Sequence, residues 1–249
     1  MQKITTPFEA TGKFSKIITA YLKQEDALKP FYHVAPALNQ FSALFDVTAQ
    51  QPIQREKLPE VLLNQYRSIP LHPEVEKNIR AFSNKNTFCV ITAHQLNIFT
   101  GPLYVIYKTV SAIQLSRTLN QLHPDKHIVP VFWLGSEDHD FEEINHFNVF
   151  GKTYTWSDHQ GGACGKYDTE SISVLCDELF AVLGEGPNAD ALRDLFTKAY
   201  LNQHDLAFAS RMILKRLIDQ YGVVGVDGEE MAFKTCCSEI IRPELYERS

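Results

Sequence analysis

What most restricts this chain is a pair of short apolar runs, each ending in a polar loop, with one long amphipathic segment between them. Thr87-Phe-Cys-Val-Ile-Thr92 and the run from His127 to Leu134 are rich in β-branched residues, as strands covered on both faces are. Between them, Gly101 to Leu122 reads as a helix. Leu103, Ile106, Tyr107, Val110, Ile113 and Leu119 form its expected core stripe, mostly at spacings of three and four. Thr100 or Gly101 is the expected N-cap, and Pro102 suits the first turn. Strand, loop, helix, strand, loop is the βαβ unit of a parallel sheet, with the first strand expected in a central position. Ligands of such sheets bind outside the carboxyl ends of the strands, so the two polar loops are predicted to share one cleft. Pro130 withholds a ladder donor, which predicts pairing that starts after it or a bulge at that point.

The flanking sequence is organised around this unit. Residues 1–86 are predicted to be helical with proline punctuation: Phe14 to Leu22, Ala35 to Phe45, Glu56 to Tyr66, and a helix opened by Pro73 that runs to Ser83. The core is predicted over residues 87–249, with an inserted connecting segment at 147–204. That segment begins with a hairpin, Phe147 to Trp156, turning at Gly151-Lys152. Helices are expected at Ser173 to Leu183, Asn188 to Leu201 and Asp205 to Tyr221, the last closed by Gly222. Val223 to Val226 is a further strand ending at Asp227, and residues 240–249 are read as charged with no closing element.

A chain of 249 residues can bury a full core. Its net charge of −6 argues against nucleic acid or anionic lipid as a partner. Neither a membrane-length apolar run nor an apolar N-terminal signal segment is present. Five cysteines, with Cys236 and Cys237 adjacent and no C-x-x-C pair, suit a reducing cytoplasm rather than a disulfide framework or a zinc site.

The candidate chemistry lies in the two loops. His94, Gln95 and Asn97 stand between a strand end and a helix start, where helix N–H groups favour an anion; the plainer reading is that they satisfy loop backbone. Tyr104 and Lys108, four residues apart, share a helix face, and Lys108 is a candidate for a substrate carboxylate or a solvated surface lysine. The second loop gathers Glu137, Asp138, His139, Asp140, Glu142, Glu143 and His146. A metal site is disfavoured there because Asp140 and Glu143 have the spacing of a capping box and no second Glu-x-x-His or H-E-x-x-H accompanies them. General acid/base work by Glu137, Asp138 and His139 competes with a solvated acidic helix start. Gly151-Lys-Thr153 and Gly161 to Lys166 look superficially like phosphate loops but lack the required residues and read as turns, with Cys164 exposed.

His94 to Tyr104 with Tyr107-Lys108, then Pro130-Val-Phe-Trp133 and Ser136 to Asn145, closely resemble the bacillithiol-biosynthesis cysteine ligase family, BshC. The resemblance covers roughly Asn64 to Lys234. It implies an α/β fold with a Rossmann-like core related to class I synthetases and nucleotidyltransferases. It also implies addition of L-cysteine to glucosaminyl-malate, a homodimer in the family, and a C-terminal coiled-coil half that this chain does not include. On that basis His94, Glu137, Asp138 and His139 are the catalytic candidates. Gln95, Asn97, Thr100, Gly101, Tyr104, Lys108, Asp140 and Asn145 are the substrate-binding ones, with no metal assigned. Cysteine and glucosaminyl-malate are the expected small-molecule partners, and an adenine nucleotide is the possible cofactor. The alternatives are a nucleotidyltransferase-like enzyme on the same fold and a truncated, inactive relative. The family usually has glycine where this chain has Ala93, whose methyl would hinder a ligand if the position needs positive φ.

Overall fold

The structure, a computed structural model, describes residues 4–51, 53–202 and 205–246. The chain divides into two compact units, Met1–Ile53 and Gln54–Ser249. The first holds α1 (Lys16–Leu22), N-capped by the Ser15 hydroxyl, and α2 (Phe41–Ala49), which buries Phe45. The predicted helix start at Ala35 moves to Phe41, after a single 3₁₀ turn at Leu38–Gln40.

The second unit opens with α3 (Leu58–Gln65) and α4 (Pro73–Ala81), the latter with its proline at the first position as expected. Then follow β1 (Thr87–Gln95), α5 (Leu103–Leu122), β2 (His127–Gly135), the short α6 (Phe141–Ile144), and the hairpin β3 (His146–Val149) and β4 (Lys152–Thr155). Next come α7 (Ser173–Val182), α8 (Pro187–Tyr200), α9 (Leu206–Ile218), β5 (Val224–Asp227) and α10 (Met231–Tyr246). The main sheet is parallel and runs β1-β2-β5. The α/β, Rossmann-like class predicted from the sequence is the observed one.

Two hydrophobic layers cover the sheet. On one face Phe132 and Leu134 meet residues of α5, α7, α8 and α9. Trp156, Ile172 and Tyr200, from the segment predicted as an insertion, belong to this same layer. On the other face Val129, Val131, Val224 and Val226 pack against Leu62 and Tyr66 of α3 and Val75 and Ile79 of α4. Truncating any of these fully buried aliphatic side chains costs about 2–5 kcal/mol.

Several local expectations are corrected. β1 is an edge strand, with β2 central, and Cys89, Ile91 and Ala93 stay exposed on its second face. β2 runs unbroken through Pro130, which pairs with Val90. Pairing with β5 begins only at Val131, so the missing donor falls where β5 has not yet joined. The N-cap of α5 is Pro102, without a side-chain bond. Its buried face is Val105, Thr109, Ala112, Ile113, Ser116 and Leu119, of which Ile113 and Leu119 were expected, and the small Thr109, Ala112 and Ser116 let the helix lie close on the strands. Leu103, Ile106, Tyr107 and Val110 face outward, and Ile106 and Val110 line an apolar cavity of about 270 Å³ between α5 and α9.

Asp140 caps α6 without a side-chain bond, so the expected capping box does not form. The Asp138 carboxylate instead accepts the Asp140 N–H at 3.0 Å. The hairpin turns at Phe150-Gly151, both with positive φ, because Val149 pairs with Lys152. This is the two-residue turn whose twist matches antiparallel strands. Helix continues to Tyr246 where no closing element was expected, and residues 247–249 lie outside the described ones. Ala93 has ordinary strand geometry, so its methyl meets no positive-φ requirement.

Candidate active site

All three parallel strands end on one side of the sheet, and their following loops build the site. Gln95 is the bridge. Its Nε2 donates to Asp138 Oδ2 and to Glu143 Oε2, each at 2.8 Å, joining the loop after β1 to the loop after β2. The Gln95 amide, followed by the Asp140 N–H, holds the Asp138 carboxyl below the usual carboxylate range. Donation to the ionised form is the cause.

His94 is anchored at both ring nitrogens. Nδ1 lies 2.9 Å from Gln95 O and 2.9 Å from Asn97 Nδ2, and Nε2 lies 2.5 Å from the Tyr104 hydroxyl. When Asn97 donates to Nδ1, the ring proton sits on Nε2 toward Tyr104. When Nδ1 donates to Gln95 O, Nε2 accepts from the phenol. In both states a titratable ring and a phenol share one short contact, the arrangement proton transfer requires. Asn97 Nδ2 also donates to Gln95 O at 3.0 Å, and Gly101 leaves it room: a Cβ on Gly101 would lie 2.8 Å from Asn97 Cβ. Gly101 has φ +63°, and Phe99, two residues earlier, is also left-handed. Phe99 is held there by its N–H donating to Tyr200 Oη and by edge contacts with Phe147 and Phe196.

His94, Gln95, Asn97, Gly101 and Tyr104 line a cavity of about 520 Å³, together with Glu143, His146, Phe147 and Asn148. That is room for one small metabolite. Glu143, His146 and Asn148 were not among the substrate-binding candidates. Glu143 and His146 were legible only as part of the acidic run, and Asn148 carries no signal beyond its place in a predicted hairpin strand.

Other candidates stand apart from this cavity. Lys108 donates to Ala93 O at 2.6 Å and lies 5.8 Å from the Tyr104 ring centre, so one of its donors is already used in bracing the end of β1. Thr100 lines the apolar cavity behind the loop. Glu137 accepts from Trp133 Nε1 at 3.4 Å. His139 and Asp140 are exposed, and Asn145 ties the hairpin base through Trp156 N–H donating to its carbonyl at 2.7 Å. Among the described residues no group of three His, Cys, Asp or Glu side chains is placed to hold a metal ion.

A second polar knot underlies the loops, and sequence reading missed it. Ser136, fully buried after β2, donates to Asp227 Oδ1 and accepts the Glu229 N–H at 3.0 Å. Glu229 pairs with Lys166 at 2.8 Å and Lys234 at 2.5 Å, the lysines holding its carboxyl below its usual value. Gly165 N–H donates to Ser136 O and Cys164 N–H to Asp138 O. The glycine turn at Gly161 to Lys166 is therefore packed under the site, and Cys164 is buried rather than exposed. Cys89 and Cys176 are also free thiols; the side chains of Cys236 and Cys237 lie outside those described. An aspartate ending a parallel strand was the available signal for this knot.

The sequence model of the family described as bacillithiol biosynthesis BshC, N-terminal Rossmann-like domain, matches residues 1–249. The chain belongs to the BshC family. Relatives bearing the name "Putative cysteine ligase BshC" include one from Flavobacterium psychrophilum, 37% identical over 246 residues, which span 97% of this chain and 46% of the relative. One from Cytophaga hutchinsonii is 39% identical over 236 residues, spanning 95% of this chain and 43% of the relative. The chain thus spans a little under half the length of these BshC relatives. Among the described residues no helix is long and apolar enough to cross a membrane.

Proposed function

We propose that this chain is the catalytic-core half of a BshC cysteine ligase, working in the cytoplasm and forming the amide between the L-cysteine carboxyl carbon and the glucosaminyl-malate amine. The bridge that Gln95 makes between Asp138 and Glu143, with Gln95, Glu143 and the His94–Tyr104 pair lining a metabolite-sized cavity, is the observation that supports this most. Asp138, kept ionised by Gln95, and Glu143 offer negative charge to the sugar ammonium. His94 takes the proton that the amine must lose before its lone pair attacks, with Tyr104 orienting the ring. Leu103 and Tyr104 at the start of α5 line the same cavity, and the N-terminal end of a helix suits a malate or cysteine carboxylate. Activation of the cysteine carboxyl carbon is the part an adenine nucleotide would supply, its phosphate-bearing group leaving as the amine attacks.

Calorimetric titration of the chain with glucosaminyl-malate, and separately with ATP, tests this reading. We expect glucosaminyl-malate to bind and Gln95→Leu to weaken it by about tenfold or more, the loss of a charge-linked hydrogen bond network. ATP binding without any glucosaminyl-malate binding would favour a nucleotidyltransferase-like enzyme instead. Binding of neither would mark an inactive relative.

A further inference from the structure

We propose that the apolar cavity between α5 and α9 is a binding site for a small, uncharged, mostly apolar molecule with one hydrogen-bonding group, and that the site loop registers its presence. The inference rests on the cavity and not on the proposed reaction. α5 packs on β1 and β2, and α9 packs on β5. The gap left between the two helices is floored by Phe132 and Leu134 of β2, and about 270 Å³ stays open above them. Ile106, Val110, Leu217 and Tyr221, each more than a third exposed, form its rim.

The lining decides the class of ligand. Among the described residues no charged side chain lines the cavity, so a phosphate or carboxylate would lose its water there without a partner in return. Water against such walls also lacks its bulk partners, and its release favours an apolar occupant. A void of about 150 Å³ lined by Leu, Ile and Phe is enough to hold benzene, so this one has room for two fused rings. One polar group in the wall is left over. Thr109 of α5 donates its hydroxyl back to Val105 O at 2.8 Å, a common use of a hydroxyl inside a helix. Ser210 of α9 lines the same cavity and is 8% exposed, yet its hydroxyl is buried with no partner among the described residues. An unpaired buried hydroxyl is costly, and rotation about its Cα–Cβ bond offers it to a ligand atom.

The cavity also touches the candidate active site. Gln95 and Asn97 line both this cavity and the polar one of about 520 Å³. Gln95 joins Asp138 to Glu143, and Asn97 contacts His94 Nδ1. A molecule between α5 and α9 therefore bears on the wall from which those contacts are made. Any preference it has for one arrangement of the loop is passed on to whatever binds on the polar side.

Indole, a neutral ring system with one N–H, is the probe, and indene is its counterpart without that group. In NMR titrations of this chain, indole should shift Ser210, Val110 and the Gln95 and Asn97 carboxamides together, saturating with a Kd below about 1 mM. Val110→Trp and Leu217→Trp fill the rim from opposite helices without touching the buried floor, and each should weaken indole about tenfold or more. Ser210→Ala should weaken indole about fivefold and leave indene unchanged. Absence of saturable shifts, or tryptophan variants that bind as the parent does, would overturn the site. So would the same residues shifting as the protein alone is concentrated, since a second copy would then be the occupant. Equal losses of indole and indene in Ser210→Ala would remove the serine's part, and shifts that leave out Gln95 and Asn97 would remove the link to the loop.

Discussion

At the scale of single residues, the site depends on backbone geometry that only a few side chains tolerate. Gly101 combines φ +63° with a Cβ direction blocked by Asn97. Replacing it with alanine adds a left-handed penalty and a contact, so Gly101→Ala is expected to lower stability by about 1–3 kcal/mol, read from the urea midpoint. Adding Asn97→Gly, which removes the Cβ lying 2.8 Å from the new methyl, should relieve the contact, so that Gly101→Ala costs less on the Asn97→Gly background than in the parent, leaving the backbone part. Full recovery in the double variant would show that φ carries no strain here. That His94, Gln95 and Asn97 stand together follows from their place between a strand end and a helix start, and the plainer expectation, satisfying loop backbone, describes part of their bonding, since Asn97 donates to Gln95 O at 3.0 Å. Glu143 could not be placed in this way: the spacing from Asp140 that suggested a helix cap is equally compatible with a side chain reaching back to Gln95, and only the fold brings Gln95 within 2.8 Å.

At the scale of elements, α5 shows why apolar periodicity found the helix but only part of its buried face, Ile113 and Leu119 of the expected stripe. Leu103, Ile106 and Val110 are the apolar choice, yet a helix lying on two strands needs small residues at the contact, and Thr109, Ala112 and Ser116 provide them. Ile106 and Val110 line a cavity instead, a neighbourhood set by α9, more than eighty residues away. The order of strands was illegible for the same reason, because edge or central position depends on pairing partners outside the local sequence. The end of α9 was better marked. Asp205 caps its start, and Gly222 turns left-handed after Asp219–Tyr221. Asp219 there is buried, and burial raises its carboxyl pKa against the opposing pull of Lys215 at 3.0 Å. A folded-state value above 3.8 means that, as pH rises from below that point, the unfolded chain releases its proton first, so stability falls across the window. Asp219→Asn should flatten this: the variant's urea midpoint minus that of the parent rises as pH climbs from below 3.8 toward neutrality. A difference that falls over the same range would contradict the assignment.

At the scale of the molecule, both hydrophobic layers on the sheet are built entirely from residues after Gln54. A fragment beginning at Gln54 should therefore fold and keep the near-ultraviolet signal of the buried Trp156, with a cooperative urea transition. Loss of that transition would mean the first unit is needed to fold the second. The two side chains on β5 have a wider meaning. By sealing one margin of the sheet with a phenol and a carboxamide, Tyr66 and Gln65 act as a chain terminator does at one end of a polymer. A strand arriving at that margin finds the backbone groups of Gly225 and Asp227 already engaged.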